Sequence, residues 1–387
     1  MRYIRQHIAV IVHLYKGEVP LTHFLKGYHK QHPKLGSRDR KILSEMSYCW
    51  YRCEKGIESK EIDFDEKMNA CLFLCSNNPL ISSFLPDAWE PAAERTLTER
   101  MDLLHEHNIF FDVNKLFPQE LSLSDNLQKD DWLLSMLEQP RLFIRIRKKK
   151  KEIIAQLEEK KIAFEFLSET CLSLPNGAAI DKLLPPDGYA VQDASSQKTG
   201  DYFNPQKGEK WYDCCSGAGG KSLLLKDIEP GVQLMVSDTR ESILHNLRDR
   251  FSLYHRSQPD ARKIDVSDKT QLQKEIRNQQ FSAIICDVPC TGSGTWARTP
   301  EQLYFYKKDA AQNISKTQQT IAVNVAKFLS PGGRLIYITC SVFRKENEEV
   351  VKEIIKDTGL YLDEIKLING ISIHADCMFI AVLKKGR

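Results

Sequence analysis

No stretch of this 387-residue chain approaches the roughly 20 consecutive apolar residues needed to cross a bilayer, so no membrane partner is expected. The opening residues, Met1-Arg-Tyr-Ile-Arg-Gln-His-Ile-Ala-Val-Ile-Val-His-Leu14, are too short and too interrupted for a signal peptide. A cytoplasmic protein is therefore expected. A dominant charge is also missing: 55 Lys and Arg against 52 Asp and Glu leave +3, which neither demands nor excludes a nucleic-acid partner. Internal repeats and low-complexity tracts are absent, which argues against a repeat architecture. A disulfide framework is lacking despite eleven cysteines, because their number is odd, their spacing irregular and no export signal precedes them. Cys49/Cys53 and Cys71/Cys75 each stand four apart inside apolar helical patterns. Structural zinc usually takes paired, Gly-rich knuckles, so core packing is expected for all four and no metal site.

What is present is an ordinary globular composition, 42% hydrophobic and 28% charged, in a chain long enough for two or three domains. Residues 1–125 read as a helical domain. Ile4, Ile8, Ile11, Val12 and Tyr15 share one helical face. A second helix runs from about Ser37, a cap candidate, with Ile42, Leu43, Met46 and Trp50 on its apolar side. Residues 66–76 and 96–107 continue the helical character, and Pro79, Pro86 and Pro91 punctuate it. Residues 126–190 read as a small α/β unit. Strand-like alternation at Leu142–Arg147 is followed by Lys148–Lys151 and a helix to about Lys160, then short strands at Phe164–Leu167 and Cys171–Leu174. The lysine run is either a solvated helix start or, with Arg141, Arg145 and Arg147, a track for an RNA backbone.

Residues 191–387 alternate strand and helix, the pattern of a mostly parallel, doubly wound sheet. Expected strands are Lys210–Asp213, Gln233–Asp238, Arg262–Ile264, Ala283–Asp287 and Arg334–Thr339, with helices from about 220, 240, 268 and 315. The first strand leads into Asp213-Cys-Cys-Ser-Gly-Ala-Gly-Gly-Lys221. Glycines there let backbone amides approach a ligand, and a helix start suits an anionic group. Two fingerprints nearly fit. The dinucleotide pattern G-x-G-x-x-G meets Ser222 at its third glycine, and the P-loop pattern meets Cys215 at its first. Asp238 stands where a ribose hydroxyl is gripped, and Asp265, after the next strand, suits an adenine.

Two further turns carry cysteines. Asp287-Val-Pro-Cys-Thr-Gly-Ser-Gly294 presents Cys290 at the end of one strand. Tyr337-Ile-Thr-Cys-Ser341, with Glu346-Asn-Glu348 after it, presents Cys340 at the end of another. Carboxyl ends of parallel strands are where such sheets bind ligands. A cysteine in a strand is usually core. Two at strand ends, each followed by polar loop residues, favour chemistry over packing.

Together these turns resemble the Sun-type (RsmB-like) RNA cytosine-5 methyltransferases. That family's cofactor turn, D-x-C-A-A-P-G-G-K, corresponds to Asp213–Lys221, its D-x-P-C-S-G-x-G to Asp287–Gly294, and its Y-x-T-C-S with E-N-E to Tyr337–Ser341 and Glu346–Glu348. Gly188–Gln197 and Arg298-Thr-Pro300 add to the likeness, which covers roughly residues 140–387. It implies a Rossmann-like class I methyltransferase domain that binds S-adenosylmethionine through Cys215, Ser216, Gly217, Ala218, Gly219, Gly220, Lys221, Asp238, Asp265 and Asp287. It also implies Cys340 as the nucleophile that adds to carbon 6 of a cytosine. Cys290 would then promote product release, and Asp287 would be the acid that stabilises the adduct. The helical front, particularly Ser37–Arg52, resembles the NusB-like RNA-binding domain of the ribosomal RNA members, so a ribosomal RNA substrate is expected; nothing in the sequence suggests an obligate oligomer, so a monomer is expected. Two departures stand out: Ser216-Gly-Ala218 replaces A-A-P, and Asp376-Cys-Met-Phe379 replaces D-G-F-F. Neither removes a catalytic group.

Competing readings are a transfer RNA substrate, a DNA cytosine methyltransferase, a P-loop NTPase and a non-catalytic assembly factor. DNA enzymes use the proline–cysteine turn as nucleophile and have no counterpart to Cys340. A P-loop enzyme has no use for either cysteine, and a scaffold has no need to keep both.

Overall fold

Ile4, Ile8 and Ile11 recur at helical spacing, and in the computed structural model they are buried along one side of α1 (Arg2–Leu14), with Tyr15 just beyond. The structure describes residues 2–59, 62–90 and 94–386, so Pro91 lies outside the described residues. The chain forms two compact units. The first comprises Met1–Glu120, Gln128–Gln139 and Thr295–Lys308. Its helices are α1, α2 (Leu21–Gln31), α3 (Ser37–Cys53), α4 (Phe64–Cys75), α5 (Leu97–Glu106) and α6 (Lys129–Ser135), and the strands β1 (Ile57–Glu58) and β2 (Phe110–Phe111) pair antiparallel. A further helix, Pro300–Tyr304 (α12 in chain order), belongs here.

α3 is the central element of this unit: Ile42, Leu43, Met46, Cys49, Trp50, Tyr51 and Cys53 are all buried. Ser37 is the first helical residue rather than the cap. Gly36 takes the cap position, and its N–H donates to the Asp39 carboxylate at 3.1 Å, because Asp39 sits one turn in where it can reach back. Cys53 packs against Cys49 and Cys71, and burial pushes both the Cys53 and Cys71 thiols up. The segment after the first cysteine turn is tied into the unit by polar groups: Leu21 N–H donates to Glu301 (3.1 Å) and the Tyr304 hydroxyl to Glu54 (2.8 Å).

The second unit comprises Leu121–Leu127, Pro140–Gly294 and Asp309–Arg387. A four-stranded antiparallel sheet opens it, built from β3 (Leu142–Ile146), β4 (Glu165–Phe166), β5 (Cys171–Leu174) and β6 (Tyr189–Val191) in the order β4-β5-β3-β6. Helix α7 (Lys150–Glu159) covers it through Ile153 and Leu157.

The seven-stranded sheet follows: β7 (Lys210–Asp213), β8 (Gln233–Asp238), β9 (Asp260–Lys263), β10 (Phe281–Asp287), β11 (Leu329–Thr339), β12 (Tyr361–Ile368) and β13 (Met378–Lys384). Their order is β12-β13-β11-β10-β7-β8-β9, parallel from β11 to β9, with β13 antiparallel to both its neighbours. The Rossmann-like, mostly parallel architecture expected from the strand–helix alternation is therefore present. Helix α8 (Ala194–Lys198) precedes the sheet, and helices α9 (Gly220–Ile228), α10 (Glu241–Leu253), α11 (Lys269–Ile276), α13 (Ala310–Ala326) and α14 (Glu348–Thr358) connect its strands. β11 and α13 begin earlier than expected, and the β12–β13 pair went unread in the sequence. β12 has polar or exposed side chains at most positions because it is the sheet edge.

Chain order reverses between β7 and β10. Sequence runs outward from β7 through β8 to β9, then restarts at β10 on the other side. A crevice opens at the carboxyl ends of strands at such a switch point. Burial on both faces holds β10 there: Ala283, Ile284, Ile285 and Cys286 are fully buried. Each such isoleucine contributes about 1.5–3 kcal/mol relative to exposure.

Candidate active site

Asp213 ends β7 and is fully buried, because Ser222, in the first turn of α9, turns back to donate its hydroxyl to Asp213 Oδ2 at 2.6 Å. Asp213 Oδ1 is buried with no hydrogen-bond partner. Burial pushes this carboxyl up to about 7; the Ser222 hydroxyl works against the shift and the charge of Asp287 adds to it. Between β7 and α9 the chain turns sharply, with Gly217 and Gly219 at φ +50° and +80°. A side chain on Gly219 would also strike Leu247 of α10 at 2.9 Å. The turn hangs from β8: Ser216 N–H donates to Ser237 O (2.9 Å) and Gly217 N–H to Asp238 Oδ2 (3.2 Å). Arg240 also donates to Asp238, through both backbone and guanidinium. Cys215 lies next to Cys214; its hydrogen bond with Cys214, then burial, push its thiol well above the usual cysteine range. The Ala218 carbonyl accepts from Arg250 (2.7 Å).

Asp265 is placed differently. It is exposed, and its Oδ1 accepts from the Ser267 N–H (2.9 Å) and hydroxyl (2.6 Å), making a turn beyond β9. The structure brings Asp238 against the glycine turn by direct hydrogen bond, whereas Asp265 holds its own loop.

Lys221 is reached from the same turn. Its ammonium meets Asp287 Oδ2, at the end of β10, at 2.6 Å. Burial works to strip the charge, but Asp287 and Cys340 beside it outweigh burial and hold the lysine above its usual range. Cys290 and Cys340 follow β10 and β11, and their sulfur atoms stand 3.1 Å apart. The hydrogen bond with Cys340, then burial, then the negative potential of Cys340 and Glu346, push the Cys290 thiol well above the usual cysteine range.

The two cysteine turns are knitted together. Gly294 N–H donates to the Cys340 carbonyl (2.9 Å), and Cys377 N–H donates to Gly294 O (2.9 Å). A Cβ at Gly294 would lie 2.2 Å from the Cys377 carbonyl, so only glycine fits. Glu346 is buried beneath both turns: its carboxylate accepts from the Thr291 N–H (2.8 Å) and hydroxyl (2.5 Å), the Ser341 hydroxyl (2.7 Å) and the Gln318 amide (3.0 Å). Asn347 accepts from the Thr339 hydroxyl (2.6 Å), and Glu348 accepts from Ser124 (3.0 Å). Gln318 was not singled out in the sequence, although one signal was there: a glutamine in the buried stripe Ala311, Ser315, Gln318, Ile321 of α13.

The basic run separates into buried and exposed members. Arg145 and Arg147 do not form a surface track; together with Arg256 they clasp Asp227, at 2.5, 2.7 and 2.6 Å. Burial alone would raise the Asp227 carboxyl, but the arginines outweigh it and bring it down to about 2. Lys149 pairs with Asp187 and Lys150 caps the Glu169 carbonyl, which leaves Lys148 and Lys151 as exposed cations.

Residues 201–380 match the family model described as 16S rRNA methyltransferase RsmB/F. The ribosomal RNA small subunit methyltransferase B of Shewanella oneidensis is 28% identical over 222 residues, covering 56% of this chain and 50% of the relative. The probable ribosomal RNA small subunit methyltransferase B of Bacillus subtilis is 30% identical over 174 residues, covering 43% and 37%. The chain thus matches half the length of these curated relatives or less. In fold it resembles the protein PH0851, with a TM-score of 0.66 at 18% identity over 99% of this chain and 98% of that one. NSun6 from Pyrococcus horikoshii is similar over 71% of this chain and 97% of its own, with a TM-score of 0.58 and 15% identity. Across residues 201–380, a little under half of its length, the chain is similar to the RsmB/F methyltransferases.

Proposed function

We propose that this protein methylates carbon 5 of a cytosine in ribosomal RNA, with S-adenosylmethionine as methyl donor and Cys340 as nucleophile. One observation carries the reading: two thiols 3.1 Å apart at adjacent strand ends, beside a Lys221–Asp287 ion pair. A lone reactive cysteine suits many reactions. A pair of this kind suits one that must both form and break a carbon–sulfur bond.

The residues at the switch point fit the donor. Gly217 and Gly220 leave open space where a side chain would stand, and the buried Asp213 Oδ1 has no partner. Cys215–Lys221, Asp213 and Asp238 would hold it there, with Asp265 at the rim. When bound, S-adenosylmethionine supplies an electrophilic methyl group. Everything else falls to this chain. The Cys340 sulfur adds to carbon 6, making carbon 5 an enamine carbon that can accept the methyl. Lys221, ion-paired to Asp287, would place a positive charge beside the ring as negative charge develops, and Asp287 would act on N3 in its protonated form, as the acid that donates a proton there. After transfer a base takes the carbon 5 proton, its electron pair re-forms the ring double bond and expels the Cys340 sulfur, and the Cys290 thiol 3.1 Å away gives its proton to that departing sulfur.

The helical unit is proposed to bind RNA. Between Arg2 and Lys55 it holds eleven Lys and Arg against four Asp and Glu, with Lys26, Lys30, Lys34, Arg38 and Lys41 exposed around the α2–α3 turn. Such a surface suits phosphates, and a cytosine is most easily extruded from an unpaired loop.

The test is to incubate the full chain with small-subunit ribosomal RNA and tritiated S-adenosylmethionine. Cys340→Ala should abolish labelling, and Cys290→Ala should accumulate a denaturant-resistant protein–RNA adduct. Full activity in Cys340→Ala, with Cys290→Ala dead and free of adduct, would overturn the assignment.

A further inference from the structure

We infer that Glu346 is a positioning residue: it clamps the Cys290 turn to the Cys340 turn and, as an anion beside Cys290, favours the protonated form of that thiol. The inference rests on the two-cysteine reading above.

The clamp is visible in the donor set. Four hydrogen bonds reach one buried carboxylate, two from Thr291 beside Cys290, one from Ser341 beside Cys340, and one from Gln318. Gln318 simultaneously donates to the Pro289 carbonyl at 2.9 Å, so the residue preceding Cys290 is held as well. The backbone of Glu346 is pinned in turn, since the Tyr337 hydroxyl donates to its carbonyl at 2.6 Å. A carboxylate only accepts, and every group facing it donates. The turns come from different strands, so without this bridge their tips are joined mainly through Gly294–Cys340 and Ser293–Ser341 contacts.

The charges around the pair are asymmetric. The Glu346 carboxylate is hydrogen-bonded to Thr291, the residue next to Cys290, whereas the Lys221 ammonium is held by Asp287. A nearby anion disfavours a thiolate and a nearby cation favours one. The Cys290 thiol is therefore the one that holds its proton. Burial and the hydrogen bond with Cys340 push the Cys290 thiol in the same direction.

The test uses the full-length protein without RNA. In Glu346→Gln the charge is lost while the shape is kept, and the Thr291 and Ser341 hydroxyls can reverse to accept from the new amide. Iodoacetamide alkylation of Cys290, followed by peptide mass spectrometry across pH, should become about tenfold faster near neutrality, as expected for removal of one neighbouring anion. Thr291→Val removes one donor and keeps the charge; it should leave the alkylation profile in place but lower the yield of cross-linking between the two thiols by dibromobimane. An unchanged alkylation profile in a folded Glu346→Gln protein overturns the proton assignment. Unchanged cross-linking in Thr291→Val overturns the clamp, and this variant decides the matter should Glu346→Gln not fold. Because neither readout involves methyl transfer, failure of the RNA assay with wild type would count against the methyltransferase reading alone.

Discussion

Cys290 Sγ and Cys340 Sγ stand 3.1 Å apart although fifty residues separate them in the chain. They meet because β10 and β11 are parallel neighbours, with Asp287 paired to Ile338, so the turns that follow leave the sheet at the same edge. The same parallel arrangement sets Asp213 of β7 beside Ile285 of β10. Every residue of the candidate site that the structure brings together lies along that edge.

Asp213 makes stability fall as pH rises. Its carboxyl is raised to about 7 from 3.8, so the folded protein binds a proton more tightly than the unfolded chain across that interval. The contribution of the protonated form is complete below about pH 4 and is lost as pH rises through 7, by up to about 4 kcal/mol. Asp213→Asn should therefore match wild type in urea unfolding below about pH 4 and exceed it at pH 8. Parallel curves at both pH values would show that the carboxyl is not buried as described.

Asp227 behaves oppositely. Its carboxyl is depressed to about 2, so its stabilisation is present above the unfolded value near 4 and is lost as pH falls towards 2. Asp227→Ala leaves the buried Arg145 without its counter-charge and should cost about 3–5 kcal/mol at pH 7. The difference should shrink below pH 3. Urea midpoints measured at both values check it.

Gly294 has no room for a methyl group. Gly294→Ala should lower stability by about 1–3 kcal/mol by forcing apart the Cys377 and Cys340 carbonyls, and a fall in Tm reports it. Gly220, with open space around it, is the contrast: Gly220→Ala should leave Tm in place and weaken donor binding instead. Equal Tm changes in the two variants would mean the cysteine turns are not packed this closely.

Much of the second unit was legible from local pattern. Lys210–Asp213 and Gln233–Asp238 form strands over the residues expected, and α9, α10 and α11 start within a residue or so of their expected positions. Strand and helix periods are properties of neighbouring side chains, so a linear reading suffices. Asp265 shows the limit of that reading. Its place after a strand is evident from sequence, but that its carboxylate is spent on Ser267 depends on how the loop turns.

Local pattern was enough to place β7, β8 and the helices α9 to α11, and to mark the polar residues at strand ends, Asp213, Asp238, Asp287, Cys290 and Cys340. Tertiary structure alone decided which of these meet. It turned Arg145 and Arg147 inwards onto Asp227, drew residues 128–139 and 295–308 into the helical unit, and set Glu346 and Gln318 beneath the two cysteines. The physical reason is burial. A charge or amide removed from water must find its partner in space, and that partner lay 28 residues away for Gln318 and Glu346, and 82 for Arg145 and Asp227.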